Sequence, residues 1–254
     1  MLMTGVALLS VAWLFGNPPF SAPDETQHFF RAIGVGQGHL IGPKVDYPAP
    51  QLPRVKRAWV RQAARGVHVP DGLSPVGSDC AAMHPEVSAL CIAYAQVPPG
   101  GEVGVEVGNY EPLPYVVPGV ALLRAHRPVP ALYLARVASL LQTLPLLLVG
   151  IAALTLRRRH NGVAVAGAAL ALTPMVLFLC SSLNPSGTEI AAGFAFAACL
   201  IRLTDTPEPV WWVLAGVTAT VLGASRSPGA VWVVALVAFF VLWRGPRRSL
   251  SRVR

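Results

Sequence analysis

Asp24, Glu25, His28 and Arg31 fall within eight residues, in the stretch NPPFSAPDETQHFFRA (17–32) that follows the first apolar run. Two adjacent carboxylates and a histidine can hold a divalent cation or take the proton from a hydroxyl. An arginine beside them suits a phosphate. On a helix, His28 lies one turn beyond Asp24 and Arg31 one turn beyond Gln27, so each pair shares a face. A plainer reading stands next to this one. Ser21 with Asp24 has capping-box spacing, and so has Asp24 with Gln27. Both acids would also complement the positive end of a helix dipole.

The elements that position these groups are membrane elements. The chain of 254 residues is 54% hydrophobic and 13% charged, with a mean hydropathy of +0.54. Such values lie outside the soluble globular range and predict an all-α multipass membrane protein with the lipid bilayer as its first partner. Apolar runs cover residues 2–16, 129–156, 162–182, 187–203, 209–225 and 227–243. They predict about six transmembrane helices, although a crossing takes about 20 residues and four of the runs are shorter. The first run lacks a basic flank and a small-residue cleavage site, so it reads as a retained span.

The net charge of +8 is anchoring charge, not a nucleic-acid footprint. RRRH (157–160) and RGPRRSLSRVR (244–254) both read as cytoplasmic, and RLTDTPEP (202–209) falls on the same side. Both termini are then cytoplasmic. The division is a first span over 1–19, an extracytoplasmic loop over 20–128, a helical bundle over 129–243 and a basic tail over 244–254. The loop carries nine Lys and Arg against nine Asp and Glu. A four-span version, with 209–243 as a re-entrant hairpin, has the same sidedness.

The loop is too long for a plain connector. Residues 24–35 predict an amphipathic helix with Phe29, Phe30 and Ile33 on its apolar side. Residues 55–65 predict a second, basic helix, and both would lie on the outer membrane surface. Cys80 and Cys91 predict a disulfide, whereas Cys180 and Cys199 sit inside apolar runs. Glu189 forms a polar cluster with Asn184 and Thr188, which either caps a helix or touches a substrate. Tyr110, Glu111 and Tyr115 precede the second long run, where interfacial tyrosines are common. His39, His68, His84 and His126 have no ligand spacing, and no zinc motif, P-loop or Ser-His-Asp signature is present.

An Asp-Glu pair just after a first span, with a nearby His and then Arg-Ala, resembles the first outer loop of the GT-C glycosyltransferases. NPPFSAPDETQHFFRA more closely resembles a bacterial family of predicted membrane proteins, domain of unknown function 2142 (DUF2142). NYEPLPYVVPGVALL with ALYLARVASLL (109–123, 131–141), SSLNPSGTEIAAG (181–193) and SRSPGAVWVV (225–234) extend the resemblance in family order. It implies a GT-C-like fold in a bacterial plasma membrane and a sugar donor carried on polyprenyl phosphate. It makes Asp24 the base for the acceptor hydroxyl, or a metal ligand, with Glu25 as its neighbour. His28, Arg31, Asn184, Tyr115, Glu189 and Arg226 then bind substrate. Arg226, in GASRSPG, falls level with the donor phosphate; its plain reading is snorkelling. Arg136 lies about two turns inside the second run, where an internal ion pair explains it better than phosphate.

The function this implies is transfer of a sugar to an extracytoplasmic cell-envelope acceptor. The alternative is a non-catalytic protein that binds lipid-linked saccharide or scaffolds an envelope complex. A small-solute transporter fits less well, because paired broken helices with symmetric spacing are missing. The resemblance implies a longer family architecture, of which this chain looks like the N-terminal half. A minimal enzyme, a chain completed by a partner subunit and an inactive truncated product are three expectations that follow.

Overall fold

Prolines mark where the apolar runs become helices. The computed structural model describes residues 2–47, 53–82, 84, 86–156, 162–205 and 207–250, the last seven as backbone. Helix α1 spans Leu2–Gly16. In the outer segment α2 spans Glu25–Gly36, α3 Arg54–Ala63 and α4 Leu113–Leu122. Then follow α5 (Pro128–Thr155), α6 (Gly162–Ala171), α7 (Pro174–Cys180), α8 (Pro185–Asp205), α9 (Pro209–Ser225) and α10 (Gly229–Leu250). Pro128, Pro174, Pro185 and Pro209 each open a helix, where the missing N–H costs nothing and φ is already set. Thr173 caps α7 by accepting from Val176 N–H at 3.3 Å. The stretches carrying RRRH (157–160) and the end of the basic tail (251–254) lie outside the described residues.

The protein is predominantly helical but not all-α. Strands β1 (Arg65–Val69) and β2 (Gly101–Val105) pair antiparallel in the outer segment, with Val67 opposite Val103. Among the described helices, α5 and α8 are long and apolar enough to cross a membrane. Helices α6 and α7 bend by 60° at the break before Pro174 and make a third crossing if they act as one span. The other apolar helices are shorter. At 1.5 Å per residue, α1 reaches roughly 22 Å, less than the hydrocarbon core of about 30 Å. Six crossings are therefore not what helix length alone supports.

Helix α5 packs along α8, and α8 along α9, while α1 packs on α5 and α7, and α7 on α8. The outer segment is not a loose loop. Phe20, Phe29, Ile33, Val67, Val105 and Tyr115 share a core with Ala131, Leu132 and Ala135 of α5. Helices α2 and α4 cross almost backbone to backbone. A Cβ on Gly119 would lie 2.5 Å from Ala32 O and 2.6 Å from Gly36 N, so neither glycine can carry a side chain there. Cys80 and Cys91 are joined by a disulfide.

The predicted surface helix α2 is instead buried. Glu25, His28 and Arg31 are as inaccessible as Phe29, Phe30 and Ile33. It therefore cannot lie with a polar face in water. Helix α3 forms close to the expected 55–65, and its apolar Val60 and Ala63 are spent against the protein.

Candidate functional site

A charge two turns inside α5 must be satisfied from within, because the bilayer offers no water. Arg136 is satisfied completely. Its Nε donates to Glu25 Oε1 at 2.8 Å and its Nη2 to Glu25 Oε2 at 2.6 Å, a forked pair with both side chains at 0% exposure. Nη1 donates to the carbonyls of Leu14 (3.1 Å) and Asn17 (2.7 Å), and Nη2 to that of Pro18 (2.9 Å). A helix end leaves such carbonyls without partners, so Arg136 is the C-cap of α1. Glu25 Oε1 also accepts from Leu183 N–H at 3.2 Å. One ion pair thus binds the end of α1, the start of α2, α5 and the turn before α8.

This corrects the pairing expected at the rim. Glu25 is not the companion of Asp24; it points into the bundle, because only there does it meet Arg136. Arg31 is likewise a structural residue. Its Nη2 donates to the carbonyls of Leu40 (2.5 Å) and Tyr110 (2.6 Å), its Nη1 to that of His39 (3.2 Å), and Tyr115 lies under the guanidinium. Arg202 repeats the device, donating to Leu156 O at 2.9 Å at the end of α5. In each case an arginine caps backbone that would otherwise be unsatisfied.

Asp24 has neither job. It is exposed, in the left-handed region at φ 55, and makes no side-chain cap bond. A capping residue sits in the β region and bonds the N–H two or three residues on, so the capping-box expectation fails. Aspartate tolerates left-handed backbone better than most residues. The carboxylate is left without a hydrogen bond from the described residues. Phe20, four residues earlier, also has a positive φ of 58. Backbone outliers close together are a pointer to function.

Around Asp24 the rim is built from distant stretches. Asn184 Nδ2 donates to Pro23 O at 3.4 Å, while its Oδ1 accepts from Ser186 N–H at 2.9 Å. Arg226 Nη1 donates to Ser186 Oγ at 2.9 Å and lies 3.6 Å from Glu189 Oε2. The same guanidinium sits over the Tyr110 ring, 5.4 Å from its centroid. Ser227 Oγ donates to Glu111 Oε1 at 3.0 Å. Tyr110 in turn lies 6.1 Å from the His28 ring and 6.4 Å from that of Trp59. His28 Nδ1 is 2.9 Å from the Tyr115 hydroxyl. Burial, and then the nearby Arg226 charge, push the His28 pKa down to about 3, so its ring is neutral at ordinary pH.

Of the residues expected at a site, Asp24, His28, Tyr115, Asn184, Glu189 and Arg226 lie along this rim, Glu25 is paired with Arg136, and Arg31 meets the rim through Tyr110 and Tyr115. Ser186, Ser227, Trp59, Tyr110 and Glu111 join them; the sequence places Tyr110 there only as an interfacial residue. Among the described residues no three His, Cys, Asp or Glu side chains group as a metal site. Glu25 is paired with Arg136, and His28 with the Tyr115 hydroxyl.

Glu189 also lines an apolar groove of about 510 Å³ between the α6–α7 bend, α8, α9 and α10, with Leu172, Val176, Phe194, Leu222 and Trp232 along it. Its Oε1 is buried without a partner. A buried acceptor left open in this way is uncommon.

The model of the family described as predicted membrane protein (DUF2142) matches residues 7–254. This chain belongs to that family. No curated protein and no solved structure matches it. The match runs through the rim stretches of this DUF2142 protein, from the 17–32 turn to the α9–α10 connection. It identifies a membrane protein and leaves the chemistry to be argued from the residues.

Proposed function

We propose that this DUF2142 protein is a GT-C-like glycosyltransferase that moves a sugar from a polyprenyl-phosphate carrier to a cell-envelope acceptor. The observation that carries the reading is Asp24, an exposed carboxylate held in left-handed backbone with no structural bond. Transfer at an anomeric carbon needs a base on the acceptor hydroxyl and a group that stabilises the departing phosphate. Asp24 takes the first role. Arg226 takes the second, since its fork is held by a side-chain hydroxyl and by a long 3.6 Å ion pair that phosphate can replace. The apolar groove accepts the isoprenoid chain, and the open Glu189 oxygen accepts from a sugar hydroxyl.

In this reading the six apolar runs cross the plasma membrane, the shorter helices using their flanks. Segment 20–128 and the rim face outward, with both termini in the cytoplasm. Glu25 and Arg136 act as a positioning pair: they fix the turn from which Asp24 projects. The non-catalytic alternative, a binder of lipid-linked saccharide, is favoured by one observation, that Arg226 is already engaged by Ser186 and Glu189.

Native mass spectrometry of the chain, extracted gently from its own membranes, tests the donor site. A co-purifying isoprenoid-phosphate sugar, diminished in Arg226→Gln, is the expected result. Wild type and Arg226→Gln that are equally free of such a lipid contradict it. The same spectrum reveals a partner subunit if one completes the fold.

A further inference from the structure

Five of the nine Lys and Arg residues of segment 20–128 fall within residues 54–65, and no acid occurs from 47 to 70. The balanced charge of the outer segment is therefore strongly segregated. Helix α3 carries most of this cluster. Arg54, Arg57 and Arg61 recur at i, i+3 and i+7, one helical face. Arg54, Lys56 and Arg61 are exposed, and none of these three has an ion-pair partner among the described residues.

Membrane attachment is the first use such a helix suggests, and α3 is poorly made for it. An interfacial helix inserts an apolar face. On α3 the apolar pair Val60 and Ala63 is turned into the protein. What remains outside is Arg54, Lys56 and Arg61, with Val55 at 85% and Trp59 at 45% exposure on the Lys56 side of the helix. Trp59 is not free to insert either, because its ring packs edge-on against Tyr110 at 6.4 Å. Tyr110 is the residue over which Arg226 lies. The indole thus joins the cationic helix α3 to the rim.

We propose that α3 is the acceptor-binding element, and that the acceptor is an anionic glycan polymer. Its phosphate or carboxylate groups meet the exposed Arg54, Lys56 and Arg61. The indole of Trp59 offers a flat, half-apolar platform to the unit entering the site. Arginine suits this role better than lysine, because its fork meets carboxylate and phosphate oxygens in pairs. This inference rests on the transferase reading for the direction of the chain, but the binding it requires does not depend on turnover.

The test uses the full chain in nanodiscs of neutral phosphatidylcholine and measures binding of three probes: a glycerol-phosphate oligomer, an oligogalacturonide and a neutral maltooligosaccharide of matched length. At least one polyanion should bind, weakening as salt rises, and the neutral glycan should bind much less. Arg54→Gln/Lys56→Gln/Arg61→Gln should weaken polyanion binding by about tenfold, the sum of three modest surface attractions. Trp59→Ala should weaken it without changing its salt dependence. Polyanion binding by a chain that shows no transfer leaves this result standing, so failure of the transferase reading alone does not overturn it. Equal binding of the neutral glycan, no binding of either polyanion, or a triple variant equal to wild type overturns the proposal. So does a triple variant that loses only its association with phosphatidylglycerol vesicles, which would make α3 a lipid-surface element.

Discussion

Two carboxylate–arginine pairs hold distant stretches of the chain together, and they are built to opposite ends. Glu25–Arg136 is forked, 2.6 Å at its shortest, and fully buried, with every guanidinium donor used. Glu189–Arg226 is 3.6 Å apart with side chains 13% and 32% exposed, and one Glu189 oxygen has no partner. The first pair cannot exchange its contacts without leaving a charge in a medium that will not solvate it. The second gives up little when a ligand phosphate or hydroxyl takes its place. Sequence neighbours can therefore belong to different systems: Glu25 anchors the turn that Asp24 uses.

The largest effect is expected at the inner pair. Arg136→Met or Glu25→Leu alone should destabilise the protein by about 3–5 kcal/mol, the usual cost of stranding one buried charge. Arg136→Met/Glu25→Leu together should cost less than the sum, which thermal unfolding in detergent measures. Equal, additive losses would mean that the pair is not coupled. An intermediate effect belongs to His28. Its folded pKa is lowered to about 3 from an ordinary 6.5, so the unfolded chain binds the extra proton. The resulting stability is full above pH 6.5 and is lost as pH falls towards 3. The slope is about 1.4 kcal/mol per pH unit in that window. His28→Gln should flatten this slope in a comparison of unfolding midpoints between pH 7 and pH 5. Arg226→Gln should shift stability by no more than about 1 kcal/mol, as befits a partly exposed pair, while it lowers retention of isoprenoid phosphate. An Arg226→Gln loss as large as that of Arg136→Met would erase the distinction between the pairs.

Much of the helical framework was legible because five of the six apolar runs became one helix each and prolines mark many of the starts. The 162–182 run hid its bend at Thr173–Pro174, although a residue before proline is a natural break. The outer segment was harder. Strand β1, RGVHV, is five residues long, and its partner lies 36 positions away in register. Nothing local announces that pairing. Helix α2 was misread as a surface helix for a related reason. Its Glu25, His28 and Arg31 are buried because Arg136, Tyr115 and Tyr110, which lie 79 to 111 positions on, meet them. Periodicity sees a polar face and cannot see its distant partners. The rim was legible as separate motifs, 17–32, 109–115, 181–193 and 225–234, but not as one place.

The central claim is that Asp24 is chemically employed while Glu25 beside it is structural. It is tested most directly by assaying sugar transfer in membranes holding Asp24→Asn at wild-type abundance. The change is at an exposed residue without a cap bond, so stability should move by less than about 0.5 kcal/mol. The account predicts that transfer is abolished with the unfolding midpoint unchanged. Turnover retained by a normally folded Asp24→Asn would contradict it.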